Sequence, residues 1–275
     1  AVVGASNLRA DWVTQTLTCA DRPEIVAARL GDQVTVDGTA GVVYMGPMPT
    51  TTSAPDENFT TVMQWANKYK RMAVYANAER EDDIRAAHRF GAEGLGLCRT
   101  EHMFQRPECA DLFRRVIFAE DVHGRNQYLA QIEAVHLSEF LDFFRLMGDA
   151  HVSVRLLVPP LHEFLPNTSL PNFEEELAKL AHRLDLPFEM CSQRVQELQE
   201  ANPAMGFRGC RLSIVYPEIA EMQTRAIVGA AIQARTEHVE VKPILLLPFV
   251  VTDHEVDLIS SVIVASAAST SKSWM

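Results

Sequence analysis

A chain of 275 residues that is 47% hydrophobic and 22% charged carries enough apolar material for a sizeable core, which excludes a largely disordered polymer. Acidic residues outnumber basic ones 36 to 25, for a formal net charge of -11, so nucleic acid and anionic membrane are not expected partners and any anion must be held by a local cluster. Five cysteines without CxxC pairing read as reduced thiols in a cytoplasmic protein, and the most apolar stretch, Leu258 to Ala268, is too short and too rich in serine and alanine for a membrane span.

In chain order, Ala1-Val2-Val3-Gly4 reads as the middle of a strand, which raises the expectation of a fragment. Val34-Thr35-Val36 and Val42-Val43-Tyr44 flank the turn Asp37-Gly38-Thr39-Ala40-Gly41 and predict a hairpin. The proline-rich, aperiodic stretch from Gly46 to Pro55 reads as an extended linker and marks a domain boundary. Beyond it, apolar runs alternate with helical patterns in the manner of βαβ units. Strands are expected at Met72 to Ala76, Gly94 to Cys98, Val152 to Leu157, part of Gly209 to Val215, and Ile244 to Val250. Between them, Glu81-Asp82-Asp83 opens a short exposed helix that Gly91 stops, and Asn172 with Glu175 resembles a capping box ahead of the face Phe173, Leu177, Leu180 and Leu184. Pro217 suits a first helical position before Ile219, Met222 and Ala226. Such alternation fits either a (β/α) barrel or an open sheet; periodicity does not separate the two.

Three clusters of polar residues fall where strands end, the place at which parallel α/β folds build their sites. In the first, a glycine-spaced strand runs into Arg99 and Glu101, and the arginine offers a planar fork for phosphate or carboxylate. The bland alternative is that Arg99 and Glu101 form a structural ion pair with each other. In the second, Arg155 lies among apolar neighbours, where an arginine needs a partner, and a proline-stiffened loop carries His162 and Glu163. A lone histidine in such a loop is more often structural than catalytic. The third, Asn202 to Arg211, sets Arg208 and Arg211 among glycines. Convergence of the three would make a pocket for a small, multiply negative molecule.

These segments also carry a family resemblance. GLCRTEHMF at 96–104, RLLVPPLHEFLP at 155–166, NPAMGFRGCRL at 202–212 and MQTRAI at 222–227 resemble successive strand-end motifs of the pyruvate phosphate dikinase family of phosphoenolpyruvate (PEP)-utilising enzymes. GDQVTVDGTAGVVYMG at 31–46 is similar to the last part of that family's swivelling phosphohistidine domain. The resemblance implies a remnant of the phosphohistidine domain at 1–46, a linker and lead-in helix at 47–70, and an incomplete PEP/pyruvate-binding (β/α)8 barrel of about five units at 71–275. It further implies that Arg99 and Arg155 hold PEP, with Arg208 and Arg211 also on the substrate and Glu101, His162, Glu163 and Asn202 in support. The family reaction exchanges phosphoryl groups between ATP, phosphate and pyruvate on one side and AMP, diphosphate and PEP on the other, with Mg2+ as cofactor.

Departures from the family pattern accompany the matches. The phosphocarrier histidine, the Mg2+-binding acidic pair and the proton-donating cysteine have no counterparts in these 275 residues, so the chain alone is expected to lack turnover. Val158 stands where the family has aspartate, and Phe207 where it has histidine. The alternative is a non-catalytic anion-binding or assembly module. An incomplete barrel would leave strand edges that either drive homo-oligomerisation or are covered by the segment Glu255 to Ser273.

Overall fold

The computed structural model describes residues 7–50, 56–200, 202, 204 and 206–274; the strand expected at Ala1 to Gly4, the linker residues 51–55, and Pro203 and Met205 of the third motif lie outside these. The chain divides into two compact units, Ala1–Lys70 and Arg71–Met275.

In the first unit, β1 (Leu8–Asp11), β2 (Thr16–Cys19) and β3 (Arg22–Arg29) form an antiparallel sheet in that order. β4 (Val34–Asp37) and β5 (Val42–Met45) form the expected hairpin, with Val34 opposite Met45 and Asp37 opposite Val42. Asp37 makes the turn: its carboxylate accepts from the backbone N–H groups of Thr39 and Ala40. Asp56 caps helix α1 (Glu57–Tyr69) by accepting from Phe59 N at 2.6 Å. Among the described residues of this unit only Ala28 is buried.

The second unit alternates strand and helix. Its elements are β6 (Ala76–Asn77), α2 (Glu81–Arg89), β7 (Gly94–Arg99), α3 (Glu101–Phe104), α4 (Pro107–Phe118), α5 (Val122–Met147), β8 (His151–Arg155), a 3-10 turn (Leu161–Phe164), α6 (Phe173–Leu184), α7 (Phe188–Glu197), α8 (Cys210–Val215), α9 (Pro217–Thr236), β9 (Lys242–Leu246) and α10 (Asp253–Ser273). The four strands form one parallel sheet in sequence order, β6-β7-β8-β9. This is a mixed α/β unit with a parallel sheet, and the described strands do not close into a barrel.

Two sequence expectations are corrected here. The run Gly209 to Val215 is not a strand: residues 210–215 form α8, with Ser213 N bonded to Gly209 O, and β8 pairs directly with β9. A short apolar run buried on one side has the same composition in a strand as in a helix, and here Cys210, Leu212 and Ser213 are buried. The first strand is confined to Ala76–Asn77 rather than beginning at Met72. A smaller correction concerns Asn172, which precedes α6 but makes no side-chain capping bond.

One face of the sheet is covered by α5 and α9. Leu95, Cys98, Val152, Val154 and Leu156 meet Phe140, Phe144, Ala226 and Ala230 there, all fully buried. The sequence of α5 explains this: Leu129, Ile132, His136, Phe140 and Phe144 recur every three or four residues on one side, and each fully buried leucine or phenylalanine contributes about 1.5–3 kcal/mol. The opposite sheet face carries Ser153 and Arg155, half-buried, and Ile244 and Leu246, exposed. A second apolar core lies among α4, α6, α7 and the 3-10 turn, around Phe113, Phe164, Leu177 and Val195. α10 seats mainly on α9 and α8 rather than along a strand, with Ser266 donating to Glu221 O. No helix among the described residues is long and apolar enough to cross a membrane.

Candidate functional site

Arg99 ends β7 and Arg155 ends β8, and the two are register partners in the parallel ladder. Partners in adjacent strands project from the same face, so both guanidinium groups leave the same side of the sheet at its C-terminal edge. Two like charges in this position require compensation, and each arginine has its own carboxylate. Arg99 pairs with Glu79 at 2.5 Å, and Arg155 pairs with Glu101. Both carboxylates are largely buried, at 12% and 10% exposure, so these pairs are held more firmly than surface ion pairs. The Arg99–Glu101 pairing considered from the sequence is thus replaced by a crossed arrangement, in which Glu101 reaches the neighbouring strand's arginine.

The glycines of the first motif have a specific steric cause. A Cβ on Gly94 would stand 2.8 Å from His151 O and 3.0 Å from the Tyr75 ring, so only glycine lets Tyr75 lie across the strand, where its hydroxyl meets His151 Nδ1 at 2.9 Å. Beyond the strand ends, an open polar hollow of about 470 Å³ is lined by Glu79, Arg80, Glu81, Asp82, His102 and Arg106. His102 Nδ1 lies 3.8 Å from Glu79. Two buried polar atoms of the Arg155–Glu101 pair have no hydrogen-bond partner: Glu101 Oε2 and Arg155 Nε. Unsatisfied buried groups are costly, and the Arg155 Nε–H is a donor that a polar ligand would satisfy.

The third motif reaches the same edge through its loop. Cys210 N donates to Pro248 O at 3.0 Å and the Cys210 thiol to Phe249 O at 3.0 Å, which ties residues 206–210 to the segment following β9. Gly209 adopts φ +57, and a Cβ there would stand 3.0 Å from both Phe249 Cβ and Pro248 O. Phe249 itself adopts φ +62, uncommon for an aromatic residue, and its ring lies 4.5 Å from the Arg208 guanidinium. Arg208 Nε donates to Val158 O, three residues past Arg155. The aspartate-to-valine departure at 158 therefore leaves the backbone carbonyl holding Arg208, while the Val158 side chain is buried. Phe207 packs against the second core and meets Tyr216 ring to ring at 5.7 Å.

The remaining sequence candidates are distributed differently. Arg211 donates to Gly206 O within its own loop, and Asn202 accepts from Ala204 N in a local turn. His162 is half-buried in the 3-10 turn and Glu163 is exposed. The structure thus brings Arg99, Arg155 and Glu101 together and ties Arg208 to the segment after Arg155, whereas the described hydrogen bonds of Arg211 and Asn202 are local. Glu79 was missed by the sequence reading; it lies two residues past β6, where the strand-end rule that singled out Arg99 would have found it. A larger hollow, about 620 Å³ between α4 and α7, has both of its arginines committed, Arg125 to Glu218 and Arg194 to Ile117 O.

The family described as PEP-utilising enzyme, PEP-binding domain, matches residues 53–273. The chain is 43% identical over 267 residues to the pyruvate, phosphate dikinase of Rhizobium meliloti, covering 97% of this chain and 29% of that protein. It is 37% identical over 271 residues to the protein of the same name from Giardia intestinalis, covering 98% and 30%, and 37% identical over 243 residues to that of Clostridium symbiosum, covering 88% and 27%. The chain therefore spans less than a third of the length of these relatives, and it belongs to the PEP-utilising enzyme family through the PEP-binding domain at residues 53–273.

Proposed function

We propose that the strand-end arginines form the PEP/pyruvate half-site of a pyruvate phosphate dikinase. Arg99 and Arg155 hold the phosphoryl and carboxylate groups, with Arg208 and Arg211 at the rim and Glu101, His162, Glu163 and Asn202 in support. The observation that carries this is the register pairing of Arg99 with Arg155 at the C-terminal edge of adjacent parallel strands. A planar guanidinium donates two parallel hydrogen bonds to phosphate or carboxylate, and two set side by side by the backbone are preorganised for a ligand bearing both. The parallel strands in sequence order, with apolar Ile244 and Leu246 on the face away from the helices, support reading 71–275 as part of a (β/α)8 barrel. By the same resemblance, 1–46 is the end of a phosphohistidine domain and 47–70 the linker with its helix.

In this reading the chain's own residues bind and orient the substrate and offset charge that develops on it. Mg2+ is the cofactor that the resemblance implies. Among the described residues no group of three or more His, Cys, Asp or Glu side chains is placed to hold a metal ion. The 275 residues alone are expected to bind PEP without turning it over. One observation favours the second reading, a non-catalytic anion-binding or assembly module that self-associates through its strand edges: both arginines already carry carboxylate partners, as structural ion pairs do.

Calorimetric titration with PEP and with oxalate, with and without Mg2+, tests the proposal. Binding that is lost in both Arg99→Ala and Arg155→Ala is the expected result. Binding that persists unchanged in both variants refutes the half-site.

A further inference from the structure

The motif at 222–227 has no part in the site as described, yet its glutamine reaches the site through a closed set of buried hydrogen bonds. Gln223 on α9 is 1% exposed and Thr100, between Arg99 and Glu101, is fully buried. Gln223 Nε2 donates to Thr100 Oγ1 at 2.9 Å, and Thr100 Oγ1 donates to Arg155 O at 2.9 Å. On its other side, Gln223 Oε1 accepts from Leu157 N at 3.0 Å. The amide orientation follows from chemistry: Leu157 N–H can only donate, so it faces the oxygen and leaves the NH2 for the hydroxyl. Each polar side-chain atom of this relay has a hydrogen-bond partner.

The location gives the relay its meaning. Leu156 N makes the last bond from β8 to β9, to Leu246 O at 3.1 Å, and beyond it the chain leaves the sheet. Arg155 O and Leu157 N flank that departure point and would lack partners at the close of the ladder. Gln223 from α9 closes Leu157 N directly, and Thr100, which Gln223 holds and which links Arg99 to Glu101, closes Arg155 O. Cys98, Val154, Ala220 and Ala226, of the core on this side of the sheet, are apolar and fully buried. Losing either member would leave buried polar groups without partners, so the relay fixes the geometry of both strand ends.

We infer that Gln223 is a positioning residue for the arginine pair, acting through Thr100 to fix the backbone from which Arg99, Glu101 and Arg155 project. The inference rests on the anion-binding reading above for its consequence, but not for its geometry. The test is titration of the full chain with oxalate in Gln223→Met, Thr100→Val, Thr100→Ser and, as a packing control elsewhere on α9, Ala230→Gly. Gln223→Met and Thr100→Val should each weaken oxalate roughly tenfold, as loss of a group that orients a ligand-binding side chain does. Thr100→Ser, which keeps the hydroxyl, should bind within about twofold of the parent, and Ala230→Gly should lower the melting temperature without weakening oxalate. Parent-like affinity in both Gln223→Met and Thr100→Val, or equal weakening in Ala230→Gly, overturns the inference. Should Gln223→Met fail to fold, the Thr100→Val and Thr100→Ser pair decides.

If the parent chain does not bind oxalate, the anion reading fails and the positioning role is judged without a ligand. The Arg155 Nε–H resonance, assigned by its loss in Arg155→Lys, should exchange with solvent roughly tenfold faster in Gln223→Met and Thr100→Val, because local opening sets exchange of a buried group. Unchanged exchange in both variants overturns the inference.

Discussion

Replacing His136 with leucine should change how the unit Arg71–Met275 responds to acid more than it changes stability at neutral pH. The imidazole is fully buried on α5, meets Phe104 edge-on at 4.7 Å and Phe140 at 6.3 Å, and has no partner at either ring nitrogen. Burial, reinforced by Arg106, lowers its pKa from 6.5 to about 3. The unfolded chain takes up this proton near pH 6.5 and the folded chain only near 3, so the contribution is complete above 6.5 and is lost as pH falls. Glu139, one turn further along α5 and paired with Arg106, behaves oppositely: burial raises its pKa from 4.5 to about 6 against the pull of Arg106. The folded form takes up that proton first, so acidification from pH 6 to 4.5 adds stability. At up to about 1.4 kcal/mol per pH unit, His136 contributes roughly 2 kcal/mol across this interval and Glu139, titrating at both ends of it, about 1 kcal/mol, with opposite signs.

The two contributions partly cancel in the parent chain, and removing one exposes the other. Relative to the parent, His136→Leu should gain about 2 kcal/mol between pH 6 and 4.5, and Glu139→Gln, which keeps an acceptor for Arg106, should lose about 1 kcal/mol. Urea unfolding followed by far-UV circular dichroism at the two pH values measures both differences. Parallel pH dependence in the parent chain and His136→Leu would refute the reasoning, since it would mean that the imidazole titrates alike folded and unfolded.

Gly209→Ala should destabilise by about 1–3 kcal/mol in thermal melts, because φ +57 is retained only at a cost and the new methyl meets Phe249 and Pro248 at 3.0 Å. A parent-like melting temperature would show that the loop relaxes away. Thiol titration of the native chain should find at most one rapidly reacting group, Cys19. The other four cysteines are buried, and burial pushes Cys98 up to about 12 and Cys109 up to about 11, so thiolate is scarce. Two or more fast thiols would contradict the packing described for the second unit.

Elements whose signals are local were legible in the sequence. The β4–β5 hairpin follows from Asp37-Gly38 between β-branched runs, α9 begins at Pro217 as its fixed φ requires, and Gly91 with φ +86 ends α2. β7 and β8 could be read because each is an apolar run that ends in an arginine. What failed depended on partners distant in sequence. The run at 210–215 becomes a helix because the loop before it is tied to Pro248 and Phe249, some forty residues away. Within the site, the arginine types and positions could be read, but their carboxylates could not. Whether Glu101 meets Arg99 or Arg155 depends on the alignment of two strands separated by the whole of α4 and α5. Gln223 stood in a quoted motif, yet its contact with Thr100 spans 123 residues and leaves no periodic trace.

Because Glu79 and Glu101 already balance the two guanidinium groups, an incoming anion meets a rim that is nearly neutral on a molecule whose formal charge is -11. Such a rim exerts little pull at long range, so capture depends on close-range exchange: the ligand's oxygens replace carboxylate oxygens that must swing aside. Encounter should therefore be slow and only weakly dependent on ionic strength, and discrimination among anions should follow their shape rather than their total charge.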